Sequence, residues 1–227
     1  MLAFIRSEAN TNFHFIHMNS NIHVPWNKGR VVGQKRPFSQ DEVLAMTDEL
    51  DRRKAYRDLC LFSFGIDTML RASDLLQLRV RDVMDRGRHP KVEFASSQQK
   101  TKHPVISTLT PFAQFALCCH VGTDDLGFDE YLFQPLRGEH DGPISTSSLR
   151  YLVKSWALSI GLNPQDYSSH SLRRTKPAML YSRGVRPEML RLLLGHQNLQ
   201  STQSYLGIDQ REALDLARKH DCFRRTE

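Results

Sequence analysis

The chain has 227 residues, 40% hydrophobic and 25% charged, with 31 Lys and Arg against 25 Asp and Glu for a formal charge of +6. This is the profile of an ordinary globular protein, long enough for one large domain or two small ones, and its basic surplus suggests an anionic partner such as nucleic acid. No apolar run is long enough to cross a bilayer, the opening segment lacks the features of a secretory signal, and Cys60, Cys118, Cys119 and Cys222 form no C-x-x-C pair. A membrane protein, a disulfide scaffold and a zinc module are thereby disfavoured, and a cytoplasmic location is expected.

Residues 1–38 are rich in Asn and His, carry Pro25, Gly29, Gly33 and Pro37, and show no sustained period, so an irregular basic arm is expected. Met18, just ahead of NSNIHVPWNKG, is an alternative start. Order is expected from Ser39 onward, as one domain over 39–227. Ser39 and Glu42 form a capping box ahead of Val43, Leu44 and Met46. A second helix is predicted from about Lys54 to Gly65 and a short third from about Arg71 to Leu76. Leu78 to Val83 alternates apolar with polar, which predicts a strand. Lys91–Phe94 and His103–Ile106 predict two more strands around a polar turn, Gln98 to Lys102. Helices are then expected at about 111–120, 145–160, 169–182, 186–194 and 209–219, punctuated by glycines. The class that results is mainly α with a small antiparallel β-sheet, α+β.

The stretch from Ser168 to Tyr205 reads SSHSLRRTKPAMLYSRGVRPEMLRLLLGHQNLQSTQSY and holds six Lys or Arg between His170 and Ser204 against the single acid Glu188. Such an excess makes a positive field suited to a phosphate backbone. His170 and Arg173 are three apart, so on a helix they share a face. Arginine binds phosphate oxygens with a permanent charge, and histidine moves protons near neutral pH. Leu194-Gly195-His196 then closes an apolar helix with a second imidazole, and Tyr205 follows a short polar stretch. Each fragment alone has a plain structural explanation. His196 could only cap its helix, and Tyr181, packed beside Met179 and Leu180, is the rival phenol.

Taken together and in this order, H-S-L-R-R-T, L-L-G-H and the tyrosine resemble the C-terminal signature of the tyrosine recombinases, the phage integrase family. Leu70-Arg71-Ala72-Ser73-Asp74-Leu75 resembles that family's first arginine motif. Gln99-Lys100-Thr101-Lys102 occupies the place of its hairpin lysine, and the resemblance runs from about residue 39 to 219. It implies the integrase catalytic-domain fold and a site-specific recombinase that breaks and rejoins double-stranded DNA, usually as a tetramer on paired sites, with no cofactor and no metal. Tyr205 would be the nucleophile, forming a 3′-phosphotyrosine. His170 would be the base, and Arg71 and Arg173 would hold the phosphate. Lys100 would be the acid for the leaving 5′-oxygen, with Lys102 its rival, and His196 a hydrogen-bond donor to the phosphate. Asp74 would support Arg71, while Arg174, Lys176 and Lys102 would contact DNA. Two other activities stay open: supercoil relaxation of the type IB topoisomerase kind, and a DNA-binding regulator without turnover.

The sequence also departs from that pattern. Met69 stands where the family often has glycine, and Arg174 where a histidine is common. Pro177 falls inside the His170 helix, where a kink or a later helix start is expected. In place of the family's N-terminal DNA-clamping domain stands the arm, whose Lys28, Arg30, Lys35 and Arg36 are expected to wrap the duplex.

Overall fold

The computed structural model describes residues 33–99, 104–135 and 142–206. The chain divides into two units, Met1–Gln34 and Lys35–Glu227, and the helices and strands below belong to the second. In chain order these are α1 (Gln40–Arg52), α2 (Tyr56–Asp67), α3 (Ala72–Leu76), α4 (Val80–Val83), β1 (Glu93–Ser97), β2 (Pro104–Thr108) and α5 (Pro111–Thr123). Then follow α6 (Thr146–Ser159), α7 (Ser169–Ser182), α8 (Pro187–Leu194) and α9 (Leu199–Leu206). The body is thus mainly helical with one antiparallel strand pair, the expected α+β class. Among the described residues no helix is long and apolar enough to cross a membrane.

Residues 35–38, expected in the arm, pack on the body. Phe38 is buried, stacks on Tyr167 with ring centroids 4.5 Å apart, and donates its N–H to Thr175 Oγ1 at 3.0 Å. Lys35 Nζ donates to Gln165 O at 2.5 Å, and Arg36 pairs with Glu42 at 2.5 Å. The boundary therefore falls after Gln34, and two of the four cations expected to wrap DNA are committed to the body. Lys28 and Arg30 lie outside the described residues. The capping box of α1 forms as expected, with Ser39 N donating to Glu42 Oε2 at 2.8 Å and Glu42 N to Ser39 Oγ at 3.2 Å.

The core is built around α2, in which every residue from Leu59 to Gly65 is buried. A helix covered on all sides needs no polar face, and its sequence has almost none. It packs against α5 and α7. At the α2–α7 crossing, a Cβ on Gly65 would lie 2.8 Å from Leu172 Cδ1, so the two backbones approach as they do only because that side chain is missing. This approach brings the residue after Leu172 beneath the turn that leaves α2.

The strand expected at 78–83 is not there. Val80–Val83 is a short helix whose N-terminus is closed by Asp82 Oδ2 accepting from Arg79 N at 2.8 Å; a lone bridge to Tyr131 is the only extended pairing of this stretch. Leu78, Val80, Val83 and Met84 are buried, the last two three and four residues after Val80. Over six residues, that helical spacing and strand alternation select nearly the same apolar positions. The hairpin does form, with Phe94 opposite Ser107 and Ser96 opposite Val105. Its inward face carries Phe94, Val105 and Ser107. The helix α9 was not anticipated, and the one expected at 209–219 lies outside the described residues.

Candidate active site

The turn after α2 sets the first arginine. Thr68 Oγ1 donates to Phe64 O at 2.7 Å, and Met69 then adopts a left-handed conformation, φ +53°. Arg71 is the N-cap of α3, and its side chain rises from the helix start. Nη1 donates to Gln98 Oε1 and lies 3.9 Å from Asp74 Oδ2. Asp74 is buried, and its Oδ1 accepts from Gln99 N at 3.0 Å, so it backs Arg71 and pins the hairpin at once.

The second arginine comes from α7. Ser168 caps that helix, and the helix runs without a break through the buried Pro177. The proline deprives the Arg173 carbonyl of its usual helical donor, yet His170 and Arg173 keep their places a turn apart. Arg173 is 4% exposed. Its Nη1 donates to Met69 O and its Nη2 to Leu194 O at 2.9 Å, with His196 Nε2 at 3.4 Å. Burial lowers its pKa, and the neighbouring Arg71 adds to that, while Tyr205 and Asp74 oppose it.

Helix α8 ends on Gly195 in the left-handed region, φ +62°, which turns His196 back toward Arg173. His196 Nδ1 is 3.0 Å from Thr202 Oγ1 on α9. Burial, then Arg173 and Arg71, push its pKa down to about 4, so the imidazole is neutral at pH 7. With a guanidinium facing Nε2, the proton belongs on Nδ1, donated to the threonine. His170 stands on the cavity rim. Partial burial lowers its pKa, followed by Arg173, Arg150 and Arg174.

Tyr205, on α9, comes from the same chain. Its ring meets His196 edge-on, 5.6 Å between centroids and 85° between planes, and the Arg174 guanidinium lies 5.1 Å from its centroid. Its hydroxyl is buried and makes no well-formed hydrogen bond among the described residues, with the Arg173 guanidinium close enough to act on it. Burial raises its pKa well above that of free tyrosine, against the opposing pull of Arg173, Arg174 and Arg71. Arg71, His170, Arg173, His196 and Tyr205 all line one cavity of about 390 Å³.

Not every expected residue meets there. Lys176 turns to Asp67, 2.6 Å from Oδ1, and is half-buried in that pair rather than free for DNA. Tyr181 does not line the cavity. Lys100 and Lys102 lie outside the described residues. No group of three or more His, Cys, Asp or Glu that could hold a metal ion occurs among the described residues.

Residues 36–212 match the model of the phage integrase family. The chain belongs to that family. A probable integrase/recombinase, YoeC of Bacillus subtilis, is 31% identical over 175 residues, which cover 77% of this chain and 91% of YoeC. Tyrosine recombinase XerC of Nitrobacter winogradskyi is 29% identical over 165 residues, 71% of this chain and 49% of XerC, so the chain spans about half the length of that relative. Among solved structures, XerA recombinase superposes with a TM-score of 0.66 at 18% identity, covering 86% of this chain and 67% of XerA. The Tn1549 transposon integrase in complex with transposon right end DNA gives 0.65 at 16%, covering 83% and 67%. At such identities the likeness establishes the fold.

Three residues around this integrase-family cavity were not singled out from sequence. Thr146 and Arg150 reach it from the first turns of α6. Nothing in their local sequence separates them from an ordinary helix surface. Gln98 was read as part of a polar turn, yet it is fully buried. The alternation that puts Phe94 inward extends to residue 98, so the period of β1 carried that signal.

Proposed function

We propose that this chain is a site-specific DNA recombinase in which Tyr205 attacks a scissile phosphodiester. The observation that carries the reading is that the Tyr205 hydroxyl shares its cavity with both guanidiniums and both imidazoles, all from one chain. The phenolic oxygen bonds to phosphorus, the bond from phosphorus to the 5′-oxygen breaks, and a 3′-phosphotyrosine remains. One phosphodiester replaces another, so a second 5′-hydroxyl reverses the step without ATP.

His170, neutral at pH 7, takes the phenolic proton. A phosphodiester arriving beside Arg71 and Arg173 also offsets part of the positive field that helps keep His170 and His196 neutral. As charge grows on the non-bridging oxygens, the two guanidiniums stabilise it, and the reading calls for no metal. Once the phosphate offsets the guanidinium charge, His196 takes a proton from solvent on Nε2 and donates it to a non-bridging oxygen, while its Nδ1–H stays on Thr202 Oγ1. Lys100 protonates the departing 5′-oxygen. Arg174 contacts the DNA backbone beside the tyrosine. Double-stranded DNA is the partner, a tetramer on paired sites the working assembly, and the cytoplasm the location.

A nicked DNA substrate that traps the cleaved state tests this reading. Wild type should yield an SDS-resistant protein–DNA adduct and Tyr205→Phe none. An adduct formed by both, or by neither on the chain's own recombination site, refutes it.

A further inference from the structure

Gln98 joins the two arginines. Its Oε1 accepts from Arg71 Nη1, and its Nε2 donates to Leu194 O at 3.3 Å. The same carbonyl accepts from Arg173 Nη2 at 2.9 Å. One continuous path therefore runs from the first guanidinium through an amide and a backbone carbonyl to the second. The amide can be oriented only one way, because its oxygen must meet a donor and its nitrogen an acceptor. The side chain is fully buried, so its geometry is fixed by packing as well.

The surroundings are shaped to admit it. A Cβ on Gly195 would stand 2.7 Å from Gln98 Nε2 and 2.6 Å from Val105 Cγ2, so the strand pair closes on the end of α8 only over a glycine. The next residue, Gln99, is held by its own N–H on Asp74. Thus the chain leaving β1 is anchored twice in succession, at Gln98 to Arg71 itself and at Gln99 to Asp74, the carboxylate behind Arg71.

We propose that Gln98 is a positioning residue for the recombination reaction, holding the Arg71 guanidinium at the spacing from Arg173 that brackets a single phosphate. The proposal rests on the function proposed above. It assigns Gln98 no contact with DNA: it acts through Arg71. Its amide also matters as a neutral group. A carboxylate at this position would face the Leu194 carbonyl without a proton to donate and would neutralise the guanidinium that the phosphate needs.

The test is single-turnover cleavage by Gln98→Met and Gln98→Glu on two nicked substrates. One has an ordinary scissile phosphate and the other a methylphosphonate, which lacks one charged non-bridging oxygen and so asks less of a guanidinium. On the ordinary substrate both variants should be slower by about 10- to 100-fold, the usual cost of a misplaced catalytic group. On the methylphosphonate the deficit of Gln98→Met should shrink to within a few-fold of wild type. An equal deficit on both substrates, or none on the ordinary one, overturns the proposal. Thermal unfolding of Gln98→Met, Arg71→Ala and the double variant reads the link without any DNA chemistry. Coupled side chains give midpoint shifts that do not add, and additive shifts overturn the proposal even where no adduct forms with wild type.

Discussion

Arg173 and Tyr205 lie in one cavity but are held in opposite ways. The guanidinium is anchored on two backbone carbonyls from different parts of the chain and is almost wholly buried. The phenol is fixed mainly through its ring, by His196 and Arg174, while its hydroxyl makes no well-formed hydrogen bond, feels Arg173 as a charged neighbour, and is kept protonated by burial. The charge-stabilising half of the site is thus preorganised, at no reorganisation cost when DNA arrives. The proposed nucleophile is housed in the cavity but held less firmly than the guanidinium beside it.

The contrast breaks most visibly at the arginine. Arg173→Ala should reduce single-turnover cleavage by about 10²–10³. It should also cost about 1–3 kcal/mol of stability, since Met69 O loses its Arg173 donor while Leu194 O keeps Gln98 Nε2. Denaturant unfolding that matches wild type would show that the anchoring is not structural. Next in size is Gly195→Ala, where left-handed strain and contacts below 3 Å coincide; a loss of about 1–3 kcal/mol is expected, read as a lower unfolding midpoint.

A smaller effect is the pH dependence of stability. Folded His196 titrates at about 4 and the free imidazole at 6.5, so between those values the unfolded chain binds more protons. The contribution is complete above pH 6.5 and is lost as pH falls toward 4. Unfolding curves from pH 7 to 4.5 should therefore slope less in His196→Asn than in wild type; equal slopes would contradict a desolvated imidazole. Smallest of all is Tyr205→Phe, which removes a buried hydroxyl that makes no well-formed hydrogen bond. Its unfolding temperature should equal or slightly exceed that of wild type, and a clear drop would mean the hydroxyl is bonded in the resting protein.

Much of this was legible in the sequence, for identifiable reasons. The capping box at Ser39, the glycine after Leu194 and the three-residue spacing of His170 and Arg173 are local signals, and local geometry carried each into the fold. Leu78 to Val83 misled because six residues are too few to separate two periods when Leu78 and Val80 fit alternation and Val80 and Val83 fit a helix. Lys35, Arg36 and Lys176 looked available to DNA, but Lys35 and Lys176 found partners over a hundred residues away, at Gln165 and Asp67, and Arg36 found Glu42 in the first turn of α1. Charge is visible in a sequence and its pairing is not. The same holds for Gln98, whose importance arises only where β1, α3 and the end of α8 converge.

Met69 shows how one backbone requirement admits two solutions. The turn must point a carbonyl at Arg173, and it does so through a left-handed residue, which costs a side chain such as methionine about 1–2 kcal/mol. Glycine would meet the demand through its freedom of rotation. Methionine meets it by burying a flexible thioether, 4% exposed, whose removal from water offsets the strain. Exchange between the two at this position therefore trades rigidity against packing and leaves the aim of the carbonyl intact, a route by which the turn could drift in composition while the site beneath it stays fixed.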